Sequence, residues 1–317
     1  MRVIGLIVGL CCLVGCASTA PNPPTTRPEI ATATPTSVSV SATALAPTPI
    51  ALTATPMALA LTWQSYTAYR VEAGDSLESI AERGASFPLF ISRYNRLNRP
   101  IGAGQLLIVP RLESDQVNRL PSTPALISRG LTSQPWVGLS CDLGAEAGPI
   151  EPILTTLTSS AITMTFFIDH TWIEQNPQGL PKLATAGHEL ANGVALEQIE
   201  PEALSQALLR TETSLTNQLG MDASMRPYLR IWQQASSPEL AELAAQNGYL
   251  LLDNAQERNA AELAESLADP EQAASYRGAI IVLDCSSAET AAALPLIIER
   301  LQQAGLQPQP IAEMMQP

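Results

Sequence analysis

Asp142, in SCDLG, and Asp284, in IIVLDCS, each end an apolar run, and both side chains could carry acid–base chemistry. Paired carboxylates do such work when their surroundings drive their pKa values apart. A metal centre is harder to assemble from this chain. A catalytic zinc normally takes three protein ligands, yet the only histidines are His170 and His188. Both read as structural or surface residues. Glu146 or Glu197 could add a carboxylate, but two acids without imidazole make a poor zinc site. Trp232, Tyr228, Asp253 and Asp284 are expected in loops at strand ends, where aromatic and carboxylate groups together suit sugars.

The elements that would position them follow from the pattern after Ala125. Apolar strands alternate with helical stretches, the signature of βα units around a parallel sheet. Strands are expected at Trp136 to Cys141, Ile162 to Ile168, from Glu189, at Tyr249 to Leu252 and at Ala279 to Leu283. Helices are expected at Glu151 to Ser159, after Pro201, after Pro238 and at Ala288 to Ala304. Leu204, Leu208, Leu215 and Leu219 repeat at helical spacing, and Gly220 stands where a C′ glycine would end that helix.

The segment TFFIDHTWIEQNP followed by GHELANG resembles the polysaccharide deacetylases, metal-dependent enzymes that remove acetyl groups from amino sugars. The resemblance spans residues 125–317. It implies an α/β fold, a distorted (β/α)7-type barrel with its active site at the C-terminal strand ends. It places Asp142 at the family's base and Asp284 where the family has a general-acid histidine. Arg226, in MRPYLR, would pair with Asp142. Leu143, Gly193 and Glu197 occupy the three metal-ligand positions. Such a chain is expected to be a pseudoenzyme with no cofactor, retaining Asp142, Arg226 and Asp284 as vestiges. The alternative is a divergent deacetylase with an unusual zinc or other divalent-metal site. A third reading is a metal-independent hydrolase using Asp142 and Asp284.

Residues 66–110 resemble a lysin-motif (LysM) domain, through YRVEAGDSLESIA, Asn95 and the closing GQLLIVP. This implies a small βααβ fold that binds N-acetylglucosamine chains such as peptidoglycan or chitin. Its groove would lie between Gly74-Asp75-Ser76 and the loop holding Ile101, Gly102 and Ala103. Asp75 can cap the first helix, with Glu78 reaching back and Leu77, Ile80 and Ala81 facing inward. Phe90, Ile91 and Tyr94 read as the inner face of the second.

Upstream, Arg2 and the apolar run Val3 to Val14 read as a signal peptide over residues 1–15, too short to span a bilayer. LVGC resembles a bacterial lipobox, which would be cut before Cys16 and lipidated there, anchoring an exported protein to a membrane. Residues 16–62 are rich in Pro, Thr and Ala and read as a disordered stalk. Residues 111–124 read as a linker. The net charge of −13 argues against nucleic acid. Of 5 cysteines, Cys11 and Cys12 would leave with the signal and Cys16 would be lipidated, so the folded body keeps Cys141 and Cys285, as a disulfide or as two buried thiols.

Overall fold

The computed structural model describes residues 65–111, 118–145, 148, 150–196, 199–220, 222–232, 234–253 and 257–317. The expected signal peptide, Cys16, the stalk, Glu146 and Glu197 lie outside the described residues. Leu59–Pro317 forms one compact unit.

Its first element, β1 (Ser65–Arg70), pairs antiparallel with β2 (Leu106–Arg111), and α1 (Leu77–Gly84) and α2 (Pro88–Tyr94) lie between them in sequence. The side-chain period of two gives this ribbon two faces. Tyr69, Leu107 and Val109 pack with Ile80 and Ile91 of the helices. Ala68, Leu106 and Ile108 point the other way and join the core of the larger sheet. Near-continuous apolar runs such as LLIV are what a ribbon buried on both faces needs.

Ser76, rather than Asp75, caps α1. It accepts from Ser79 N, and Ser79 Oγ accepts from Ser76 N, a capping box that leaves Glu78 unused. Asp75 turns inward instead, accepting from the Tyr69 hydroxyl at 2.5 Å and pairing with Arg83. Of the expected inner face of α2, Ile91 is buried in the small unit's own core. Tyr94 faces the larger sheet, and Phe90 packs edge-on against exposed Phe87.

The larger sheet begins with β3 (Leu126–Ile127), β4 (Trp136–Leu143), α3 (Ile150–Ser159) and β5 (Thr165–Ile168). It continues through α4 (His170–Gln175), α5 (Gly179–Thr185), β6 (Glu189–Ala195), α6 (Pro201–Leu219) and β7 (Tyr228–Trp232). Next come α7 (Pro238–Gln246), β8 (Leu250–Leu252), β9 (Glu257–Arg258), α8 (Ala260–Ser266) and α9 (Pro270–Ser275). The chain closes with β10 (Ile280–Asp284), α10 (Ala288–Gln303), β11 (Gln307–Gln309) and α11 (Ile311–Met314). All pairings are parallel, in the order β3-β8-β7-β6-β5-β4-β10-β9, with β11 beside β4. This is the curled parallel sheet of a (β/α)7-type barrel preceded by a βααβ unit, as the sequence implied.

Strand parity separates two environments. On β4, Val137, Leu139, Cys141 and Leu143 pack outward with the α3 and α10 side chains. On β7, Leu229 and Ile231 pack under α6 and α7. The alternate residues face the barrel interior, among them Phe167, Ala191, Tyr228 and Val282. The βααβ ribbon and α11 close the end of the interior where the strands start. Tyr228 lies at that floor, buried at the start of β7, and so is remote from the strand-end loops expected for it.

Candidate functional site

A cleft of about 510 Å³ opens at the C-terminal ends of the strands, lined by Asp142, Asp169, Trp232, Glu257 and Asp284 among others. Parity brings Asp142 to it. Leu143 turns outward, so its neighbour Asp142 turns inward near the end of β4. Asp284 stands opposite Asp142 in the β4–β10 register. Cys141 and Cys285, each one residue away, form a disulfide with Cα atoms 5.7 Å apart. That choice between disulfide and thiols, open in the sequence, is made by adjacent strand ends at a separation a disulfide tolerates.

Asp142 pairs with Arg230 of β7. Arg230 Nε donates to both carboxylate oxygens, at 2.9 and 2.7 Å, and Nη2 donates to Glu257 at 2.7 Å. The guanidinium is 1% exposed and reaches across the barrel interior, joining β7 to β4 and β9. Asp142 itself is 15% exposed and Glu257 56%. Burial pushes the Asp142 carboxyl up to about 6; Arg230 and the Trp232 indole oppose the rise, and Glu257 adds to it. The Trp232 Nε1 faces Asp142 in this way but closes no hydrogen bond of normal geometry.

Arg226, the expected partner of Asp142, is elsewhere. It precedes β7 rather than lying within it, pairs with Glu212 at 3.2 Å and stacks over Tyr249 at 4.9 Å. The signal for Arg230 was present in YLRIW. An arginine at alternate spacing between Tyr228 and Trp232, within an otherwise apolar strand, must face inward and find buried acids.

Asp169 caps α4 through Trp172 N at 2.8 Å, and burial raises its pKa. Asp284 accepts from Ser286 N and Oγ and has no salt-bridge partner among the described residues. Asp253 follows β8, its N–H donating to Ile127 O. His188 is buried edge-on to Phe166, and burial lowers its pKa; His170 sits at the start of α4 beside Glu174.

The described residues at the expected ligand positions do not fit a catalytic metal. Leu143 is fully buried in the apolar core outside the sheet. Gly193 has no side chain, and a Cβ built there would lie 2.7 Å from Trp232 Cζ2. A Cβ on Gly144 would lie 2.9 Å from the same ring. The indole thus fills the space above both glycines. Among the described residues, no three His, Cys, Asp or Glu side chains converge to hold a metal ion.

In the βααβ unit the chain entering the first expected glycan-binding loop is bonded to the chain leaving the second. Gly104 N donates to Val71 O, and Val71 N to Gln105 O, at 2.7 and 2.8 Å. Gly74, Ser76 and Ala103 are exposed there, and Ile101 is half-buried. Asp75 is held internally; burial works against its charge, but Tyr69 and Arg83 keep its carboxyl below the usual range. Gly102 lies against the Pro317 side chain, which a Cβ would meet at 2.7 Å.

No family model matches this chain, and no curated protein does. Solved structures do match. A mutant of BA3943, described as a CE4 family pseudoenzyme with restored enzymatic activity, is 19% identical at a TM-score of 0.50. That match covers 66% of this chain and 77% of the other; the wild-type BA3943 comes from Bacillus anthracis. The Bc1960 peptidoglycan N-acetylglucosamine deacetylase is 17% identical at 0.50, covering 60% and 92%. Bacillus subtilis PdaA, a family 4 carbohydrate esterase, is 19% identical at 0.50, covering 60% and 85%. Over some 66% of its length, this chain has the fold of the family 4 carbohydrate esterases, the polysaccharide and peptidoglycan deacetylases.

Proposed function

We propose that this chain is a glycan-binding protein of the cell envelope whose deacetylase-like barrel does not perform metal-dependent deacetylation. The observation that carries the second half is Trp232, packed over Gly144 and over Gly193, where a ligand-bearing side chain would have to project. Leu143, sealed in the core, supports it. A metal would be needed there to polarise an acetyl carbonyl and activate a water. The first half rests on the βααβ unit, whose LysM-like sequence and adjoining loops suit an N-acetylglucosamine chain, in peptidoglycan or a chitin-like glycan. Export by the N-terminal signal and lipidation at Cys16 would hold the molecule at a membrane, with residues 16–62 as the spacer.

The test is zinc titration and acetate release with the full chain, using an acetylated chitooligosaccharide, alongside sedimentation with peptidoglycan. The expected result is no stoichiometric zinc, no acetate and co-sedimentation. Tight zinc or chelator-sensitive acetate release overturns the proposal for the barrel. Failure to sediment with peptidoglycan overturns it for the βααβ unit. Replacing Cys16 with Ser should move the chain from the membrane to the soluble fraction.

One observation favours a second reading, a metal-independent hydrolase. Asp142, raised to about 6, lies in register with Asp284, which suits an acid–base pair. Chelator-resistant hydrolysis, abolished in Asp142→Asn, would establish it.

A further inference from the structure

We propose that the cleft beside Asp142 and Trp232 takes an amino sugar through a free, protonated amine rather than through an acetamide. This deepens the glycan-binding reading and rests on it. The cleft, about 510 Å³, is of the size that holds small ligands. Four carboxylates line it, Asp142, Asp169, Glu257 and Asp284. The cation that answers them, Arg230, is sealed at 1% exposure and engaged by both Asp142 and Glu257. The described lining therefore carries an excess of negative charge, and among the described residues the Asp284 carboxylate accepts only from Ser286.

These acids do not converge in a set of three able to hold a metal ion. Spread around the cleft, they suit an organic ammonium that meets one carboxylate at a time. Trp232 is the independent feature. Its ring is wedged against Gly144 and Gly193, so it forms a fixed wall for the face of a sugar and for an ammonium. Its Nε1 is shielded from solvent and faces Asp142, so the indole is held in place from the carboxylate side. A neutral acetamide offers the carboxylates no charge and leaves their desolvation uncompensated.

The experiment is calorimetric titration of the full chain with three probes. They are a β-1,4-linked glucosamine tetrasaccharide, its fully N-acetylated counterpart, and 6-aminohexanamide as an amine without a sugar. The free-amine tetrasaccharide is expected to bind the cleft about tenfold more tightly than the acetylated one. Asp284→Asn, which keeps an acceptor for Ser286, should weaken it roughly tenfold. Trp232→Ala should abolish it, and Trp232→Phe, which retains an aromatic wall, should restore part of it. Ala103→Trp, in the βααβ loop, should remove binding of the acetylated chain alone. The proposal is overturned if the free-amine chain binds no better than the acetylated one. Unchanged binding in Asp284→Asn or in Trp232→Ala overturns it too, as does 6-aminohexanamide competing as well as the sugar. Free-amine binding without any acetylated-chain binding would instead sink the βααβ reading and leave this one standing.

Discussion

Burial sets the state of Asp142, opposed from across the barrel by Arg230, whose charge is shared with Glu257. With Asp142 raised from 3.8 to about 6, the folded chain keeps a proton that the unfolded chain releases between those values. This group therefore makes stability fall as pH rises from about 4 to about 6. Denaturant titrations across that window should show the decline in the native chain and lack it in Asp142→Asn. Glu257→Gln removes a charge that adds to the effect of burial on Asp142, so its carboxyl resonance should titrate at somewhat lower pH. An unmoved titration would show that Glu257 does not act on Asp142. The Trp232 wedge gives a second expectation. Gly193→His alone should cost roughly 1–3 kcal/mol from overpacking, and Trp232→Ala should relieve much of that cost. Urea unfolding of the single and double variants checks it, and strict additivity would argue against the contact.

Among the elements, the β1–β2 ribbon is buried by its own helices on one face and by the barrel on the other. Arg96 fastens the seam, pairing with Glu189 at 3.0 Å and donating to Leu190 O and Ser224 O. Arg99 pairs with Glu313 and covers Trp136, and the Tyr94 hydroxyl donates to Gly248 O. The described part of the connection is tied down as well. Leu120 is buried in the small unit's core, Arg119 N donates to Arg83 O, and Thr123 N donates to Ala68 O. Arg96→Ala removes the donor to Glu189 Oε1 and to two carbonyls, while Thr165 and Ala312 still bond Oε2, and should cost about 1–3 kcal/mol. The loss should appear as a lower midpoint of one shared transition in calorimetry. Two separable transitions would mean that the seam contributes little.

For the whole molecule, the small unit lies at the floor of the barrel and the carboxylate cleft at its opposite mouth. A chain cut to residues 125–317 would expose the interior faces that Ala68, Leu106 and Ile108 cover. It should melt well below the intact chain or aggregate, and an unchanged melting temperature would refute this account of the core. The disulfide closes a separation of 144 residues. Replacing Cys141 and Cys285 together with Ala should cost roughly 2–5 kcal/mol, measured by unfolding under non-reducing conditions.

The sequence alone determined the alternation of strand and helix, because periods of two and of about 3.6 are written locally. It determined that Leu143 and Gly193 offer no metal ligand, since that depends on residue type. It also marked Trp232, Tyr228, Asp253 and Asp284 as groups suited to a sugar cleft, of which Trp232 and Asp284 line the cleft at the strand ends. Strand parity could have told which way Arg230 points, but not which acid it meets. That depends on the curl of the sheet, which brings β7 across to β4 and β9, and no local pattern encodes it. The same long-range geometry sent Arg226 to Glu212, joined Cys141 to Cys285 and pressed the Trp232 ring onto two glycines. It also decided that the apolar second face of a short ribbon, read locally as part of a separate domain, would be buried as the floor of the barrel.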